Sequence, residues 1–140
     1  MHDLLIHGGT VVSPAGAGNF DVLIDDGKIT AITTRSNDLP EASRSIDATG
    51  KIVIPGGVEP HAHIGGPRQP ERSGALAVSK AAIFGGTTTV LDFATQVPGH
   101  DLYHAVEEAE ERWSGNAFTD YAYHPILTHG AGIDSIRQIP

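Results

Sequence analysis

The sequence predicts an α/β chain in two parts. Residues 1–55 form part of a small β-sandwich, and residues 56–140 form the first three βα units of a TIM-type (β/α)8 barrel. Three observations carry this. Short β-type runs fill the first part. Strand-like and helix-like segments alternate in the second, the pattern of a parallel sheet. A His-x-His pair, His61-Ala62-His63, stands where the second part begins.

Element by element, Leu4-Leu5-Ile6 opens a strand, and Thr10-Val11-Val12 continues after Gly8-Gly9. FDVLID and KITAIT flank Asp26-Gly27, a hairpin signal because both turn positions need positive φ. Residues 35–50 are polar and turn-rich, with no strand expected before KIVI. Ile52-Val53-Ile54 reads as a buried strand, interrupted by Pro55-Gly56-Gly57 ahead of the histidines. SGALAVSKAAIF (73–84) is rich in helix formers, and Gly85-Gly86 suits its stop. Thr87–Ala94 is β-branched and apolar, as expected of a strand covered on both faces. Asp101–Trp113 places Leu102, Ala105, Val106 and Ala109 at helical spacing. Asp120–Leu127 reads as a third strand, and Ser135-Ile136-Arg137 as the start of a third helix.

Composition narrows the chemistry. The 140 residues carry no Cys, so neither disulfides nor thiolate metal ligands are available. A formal net charge of -8, with no basic block, argues against nucleic acid or an anionic membrane as partner. MHDLLIHGGT lacks the features of a signal peptide, and no apolar stretch is long enough to span a bilayer. The expectation is a soluble, cytoplasmic protein. Three βα units fall short of the eight strands of a closed barrel. As a free-standing sheet they would leave two bare edges. The chain therefore reads as the N-terminal third of something larger.

The histidine pair is the candidate site. Residues two apart on a strand project to one face, where two imidazoles can grip one divalent ion. The spacing alone is weak, since eight His in 140 residues produce about 0.45 such pairs by chance. Its position is what counts: the end of the first strand of a βα unit, where barrel enzymes keep their chemistry. His124 could approach the same site from the end of the third strand or be structural. Asp92, if buried, needs partners, and supporting the site or the core are equal readings. His2 and His7 read as surface or structural residues, and His100, His104 and His129 as exposed. Glu107, Glu108, Glu110 and Glu111 read as a solvated helix face. Gly85-Gly86 lacks the pattern of a phosphate loop, so nucleotide binding is rejected.

The segments DGKI (26–29), IDATGKIVIPGGVEPHAH (46–63), AAIFGGTTTVLDFA (81–94) and DYAYH (120–124) resemble the amidohydrolase superfamily. The likeness is to the N-terminal part of its cyclic-amide branch: dihydropyrimidinase, hydantoinase and, more distantly, allantoinase and dihydroorotase. The resemblance implies metal-dependent opening of a dihydropyrimidine or hydantoin ring. It implies His61 and His63 as metal ligands, and two zinc-type ions bridged by a carbamylated Lys from the fourth strand. Two further His and a catalytic Asp would also lie beyond this chain, so no catalytic residue is assigned within it and the chain alone is expected to be inactive. A small cyclic amide is the implied partner, and the full-length form is expected to be a dimer or tetramer. The loop IGGPRQPERSG (64–74) departs from the family by being shorter and polar. Arg68, Glu71 and Arg72 are then either a solvated loop or part of a polar substrate pocket. A non-catalytic dihydropyrimidinase-related scaffold is the other reading, disfavoured because such proteins lack the metal histidines.

Overall fold

The computed structural model describes residues 1–65 and 74–128. It is a mixed α/β chain that divides into two compact units between Pro55 and Gly56.

The first unit is all β. Strands β1 (His2–His7), β4 (Phe20–Asp25), β5 (Lys28–Thr34) and β6 (Ala42–Asp47) form a sheet in the order β5-β4-β1-β6. Strands β2 (Thr10–Ser13), β3 (Gly16–Gly18) and β7 (Ile52–Val53) form a second, in the order β3-β2-β7. Leu5, Val11, Val22 and Leu23 are buried and make the unit's core. The β4–β5 hairpin turns on Asp26 and Gly27, with φ of 50° and 71°, as its sequence requires.

Three expectations need correction here. The polar stretch before KIVI contains a strand, β6, paired in parallel with β1. It was hidden because ASRSID is an exposed edge, where backbone hydrogen bonds rather than apolar side chains define the strand. The short strand β3 was likewise not foreseen. Ile52-Val53-Ile54 is not a buried strand leading into the histidines. Ile52 and Ile54 are 71% and 65% exposed, and β7 pairs with β2 inside the first unit. A two-residue edge strand offers little surface to cover them.

The second unit holds strands β8 (Gly57–Glu59), β9 (Thr87–Thr95) and β10 (Asp120–Ile126) and helices α1 (Ala75–Phe84) and α2 (Leu102–Trp113). The strands are parallel, in the order β8-β9-β10. The expected third helix lies outside the described residues. Helix α1 stops at Gly85, with Gly86 at φ 82° as the left-handed residue beyond it. Helix α2 starts at Asp101, whose carboxylate accepts from the His104 amide. Its Leu102, Ala105 and Ala109 are buried, and the last two pack on Ala94 of β9. A second cluster joins Ile64, Ala75, Val90 and Trp113, with Ala62, Tyr121 and Tyr123 against it. Strand β9 is not equally covered on its two faces. Val90, Asp92 and Ala94 are buried on the helix side, whereas Leu91 and Phe93 opposite are half-buried.

The acidic face of α2 also differs from expectation. Glu110 accepts hydrogen bonds from the hydroxyls of Tyr121 and Tyr123, both at 3.0 Å. It therefore ties α2 to β10 rather than simply meeting solvent. These bonds and burial raise both phenolic pKa values, Glu110 contributing most at Tyr121 and burial most at Tyr123.

Candidate metal centre

The first strand of the second unit ends at Glu59, but its pairing with β9 continues. The Ala62 amide donates to the Leu91 carbonyl at 3.0 Å and the Ile64 amide to the Asp92 carboxylate, so the chain stays beside β9 through the histidines. Alternation then assigns the side chains. Ala62 and Ile64 enter the cluster beneath the helices. His61 and His63 take the opposite face, and both are exposed. On that face of β9 stands Phe93, and beside it in register on β10 stands His124.

The four rings touch. His63 stacks on Phe93 at 4.2 Å between centroids and 9° between planes. His61 meets Phe93 edge-on at 4.6 Å and 65°. Phe93 and His124 lie 5.2 Å apart. The His61 and His63 centroids are 5.3 Å apart. Two imidazoles sharing one tetrahedral zinc ion, with Zn–N near 2.0–2.1 Å, place their centroids roughly 5 Å apart. The pair therefore fits a shared ion in both donor type and spacing. Among the described residues no third His, Asp or Glu joins them in a group able to hold a metal.

Backbone anchors set this strand end. Glu59 accepts from the His61 amide at 2.9 Å. His124 Nε2 donates to the Pro60 carbonyl at 2.8 Å. A carbonyl only accepts, so Nε2 carries the hydrogen. His124 thus combines both of its readings: it reaches the site and serves there as a strand tie. Asp92 is fully buried. Its Oδ1 accepts from the amides of Ile64 (2.9 Å) and Phe93 (2.7 Å), and its Oδ2 accepts from Trp113 Nε1 (2.9 Å). The carboxylate grips the chain one residue beyond His63.

Other singled-out residues are elsewhere. His2 pairs with Asp25 at 2.8 Å in the first unit. His100 is exposed, as expected, but His104 is half-buried. It stacks on His100 at 4.1 Å and lies 3.5 Å from Glu108, a helical i,i+4 neighbour. His129, Arg68, Glu71 and Arg72 lie outside the described residues. Two residues went unnoticed in the sequence. Phe93 was legible, since it has the strand parity opposite to Val90 and Asp92. Gln96 was not, because its role is a long-range one. It is buried at the end of β9, accepting from the Thr128 amide and donating to the His100 carbonyl.

No protein-family model matches the chain. Among individual proteins, the D-hydantoinase of Streptomyces coelicolor is 37% identical over 133 residues, covering 89% of this chain and 28% of that protein. The dihydropyrimidinase of Rattus norvegicus is 35% identical over 130 residues, again 89% of this chain and 25% of the relative. A solved D-hydantoinase structure superposes on 97% of this chain with a TM-score of 0.82 at 37% identity, using 29% of its own length. The L-hydantoinase (dihydropyrimidinase) from Arthrobacter aurescens superposes on 99% with a TM-score of 0.82 at 30% identity, using 31%. The chain thus spans under a third of the length of the relatives it matches. In sequence and in backbone course alike, the chain belongs to the hydantoinase and dihydropyrimidinase family, in the cyclic-amide branch of the amidohydrolases.

Proposed function

We propose that the whole protein opens the ring of a small cyclic amide, a dihydropyrimidine or a hydantoin, by metal-dependent hydrolysis. In this reading His61 and His63 are two of the metal ligands. The observation that carries it is the pair itself: two imidazoles on one face of a strand end, 5.3 Å apart, in a chain of this family. The three parallel strands are then the opening of a (β/α)8 barrel, and residues 1–55 are its sandwich portion.

When bound, the metal, which in the family pattern is two zinc ions with a carbamylated Lys from beyond this chain, would supply Lewis acidity and an activated water at neutral pH. The residues of this chain contribute placement. His61 and His63 offer their rings from the exposed face, and the flat face of Phe93 limits how the His63 ring can rotate. Glu59 and His124 fix the backbone on the N-terminal side of the pair. Asp92 fixes it on the other. In the family pattern the base and the remaining ligands come from later strands, beyond these 140 residues, so the 140-residue chain alone should not turn over substrate.

The test uses the complete gene product loaded with Zn2+, assayed on dihydrouracil and hydantoin for N-carbamoyl amino acid formation. Ring opening is expected, and His61→Ala and His63→Ala should each reduce it by more than about 100-fold. Full activity in both variants, or none in the parent, would refute the proposal.

A further inference from the structure

We infer that Asp92 is a positioning residue for the His61/His63 pair, acting through the backbone rather than on substrate. The inference rests on the metal-ligand reading above and adds a residue to it. Three elements meet at this one carboxylate: the strand end that carries the histidines, β9 itself and helix α2. The Ile64 amide is the contact that matters for the site. Ile64 follows His63 directly, and its side chain is 6% exposed within the cluster that also holds Trp113. With both its amide and its side chain held, the direction of the chain at His63 is set. Alternation then requires the His63 ring to leave on the Phe93 side. Burying a carboxylate is costly unless it is fully hydrogen-bonded. A core that needed only volume at this position would be served by an apolar residue. Asp supplies what an apolar residue cannot, an acceptor for the amide beside the ligand pair.

The chemistry suggests a discriminating set of variants. In Asp92→Asn, Oδ1 can still accept from Ile64 and Phe93, but the amide nitrogen faces the Trp113 N–H, donor against donor. Asp92→Asn/Trp113→Phe removes that conflict and keeps the acceptor. Asp92→Ala/Trp113→Phe removes the acceptor too.

The complete gene product, stripped of metal, is titrated with Zn2+ by calorimetry, at a temperature where circular dichroism shows each variant folded. His61→Ala/His63→Ala serves as the blank for other histidines. Asp92→Asn is expected to weaken the His61/His63-dependent affinity about 10- to 100-fold, and the Asn/Phe double variant to recover to within about threefold of the parent. The Ala/Phe variant should stay weak, and its Ile64 amide should exchange with solvent faster than in the Asn/Phe variant. A core role alone would lower the melting temperature but leave Zn2+ affinity in the folded variants unchanged. Equal affinity in the Asn/Phe and Ala/Phe variants would overturn the inference while leaving the metal reading intact. Should the parent bind no better than the His61→Ala/His63→Ala blank, the metal reading fails and this inference falls with it.

Discussion

Replacing Phe93 tests whether the ring cluster shapes the site. Its ring is in contact with His63 at 4.2 Å, His61 at 4.6 Å and His124 at 5.2 Å. Each aromatic contact is worth about 0.5–1.5 kcal/mol beyond area burial. Because His61 and His63 are both exposed, the lower end applies, about 1.5 kcal/mol for the three. The side chain is half-buried, so truncation also forfeits about half of the 1.5–3 kcal/mol of a fully buried Phe. Phe93→Ala should therefore destabilise the chain by about 2–3 kcal/mol. Phe93→Leu keeps most of the apolar area and loses the flat face, so about 1–1.5 kcal/mol is expected. Urea denaturation monitored by Trp113 fluorescence measures both. Zn2+ titration of the folded variants gives the second readout. If the ring holds His63 in place, Phe93→Leu should weaken binding by up to about tenfold, since 1.4 kcal/mol is one decade. A Leu variant that matches Phe in both stability and Zn2+ affinity would refute the reasoning.

Two further predictions concern titrating groups. Glu110 holds the Tyr121 and Tyr123 hydroxyls as donors and so keeps both phenols protonated to higher pH. Glu110→Gln should make phenolate absorbance appear at lower pH than in the parent, and an unchanged alkaline titration would contradict the assignment. In the first unit, the His2 hydrogen bond, followed by that of Thr30, lowers the Asp25 pKa, and the Thr49 hydroxyl followed by its amide lowers that of Asp47. A lowered folded-state pKa gives stability present above the ordinary carboxylate value and lost as pH falls through the lowered one. The melting temperature should therefore drop on acidification below about pH 4. Asp25→Asn/Asp47→Asn should lower it at neutral pH and flatten that acid dependence. An acid slope identical to the parent's would count against both assignments.

The local chemistry of this chain was legible in its sequence. Asp26-Gly27 specified a hairpin because few residue pairs tolerate two positive φ values in succession. Helix α2 announced itself through Leu102, Ala105 and Ala109 at helical spacing, and Gly85-Gly86 marked where α1 ends. The His61–His63 spacing already implied one shared face, because alternation on an extended chain depends on nothing beyond the strand itself.

Tertiary structure decided what that face would meet. The fate of Ile52-Val53-Ile54 turned on which strand it paired with, and pairing with β2 kept it in the first unit. Strand β6 exists through its backbone bonds to β1, which leave no trace in side-chain polarity. Asp92 could be read equally as a core residue or as support for the site until the fold placed it 2.9 Å from the Ile64 amide, 28 positions back along the chain. Phe93 gained its role only when parallel pairing set it beside His124 and beneath both histidine rings. Periodicity and turn chemistry act between neighbours in sequence. Register and long-range hydrogen bonds act between strangers, so only the folded chain brings the parts of this site together.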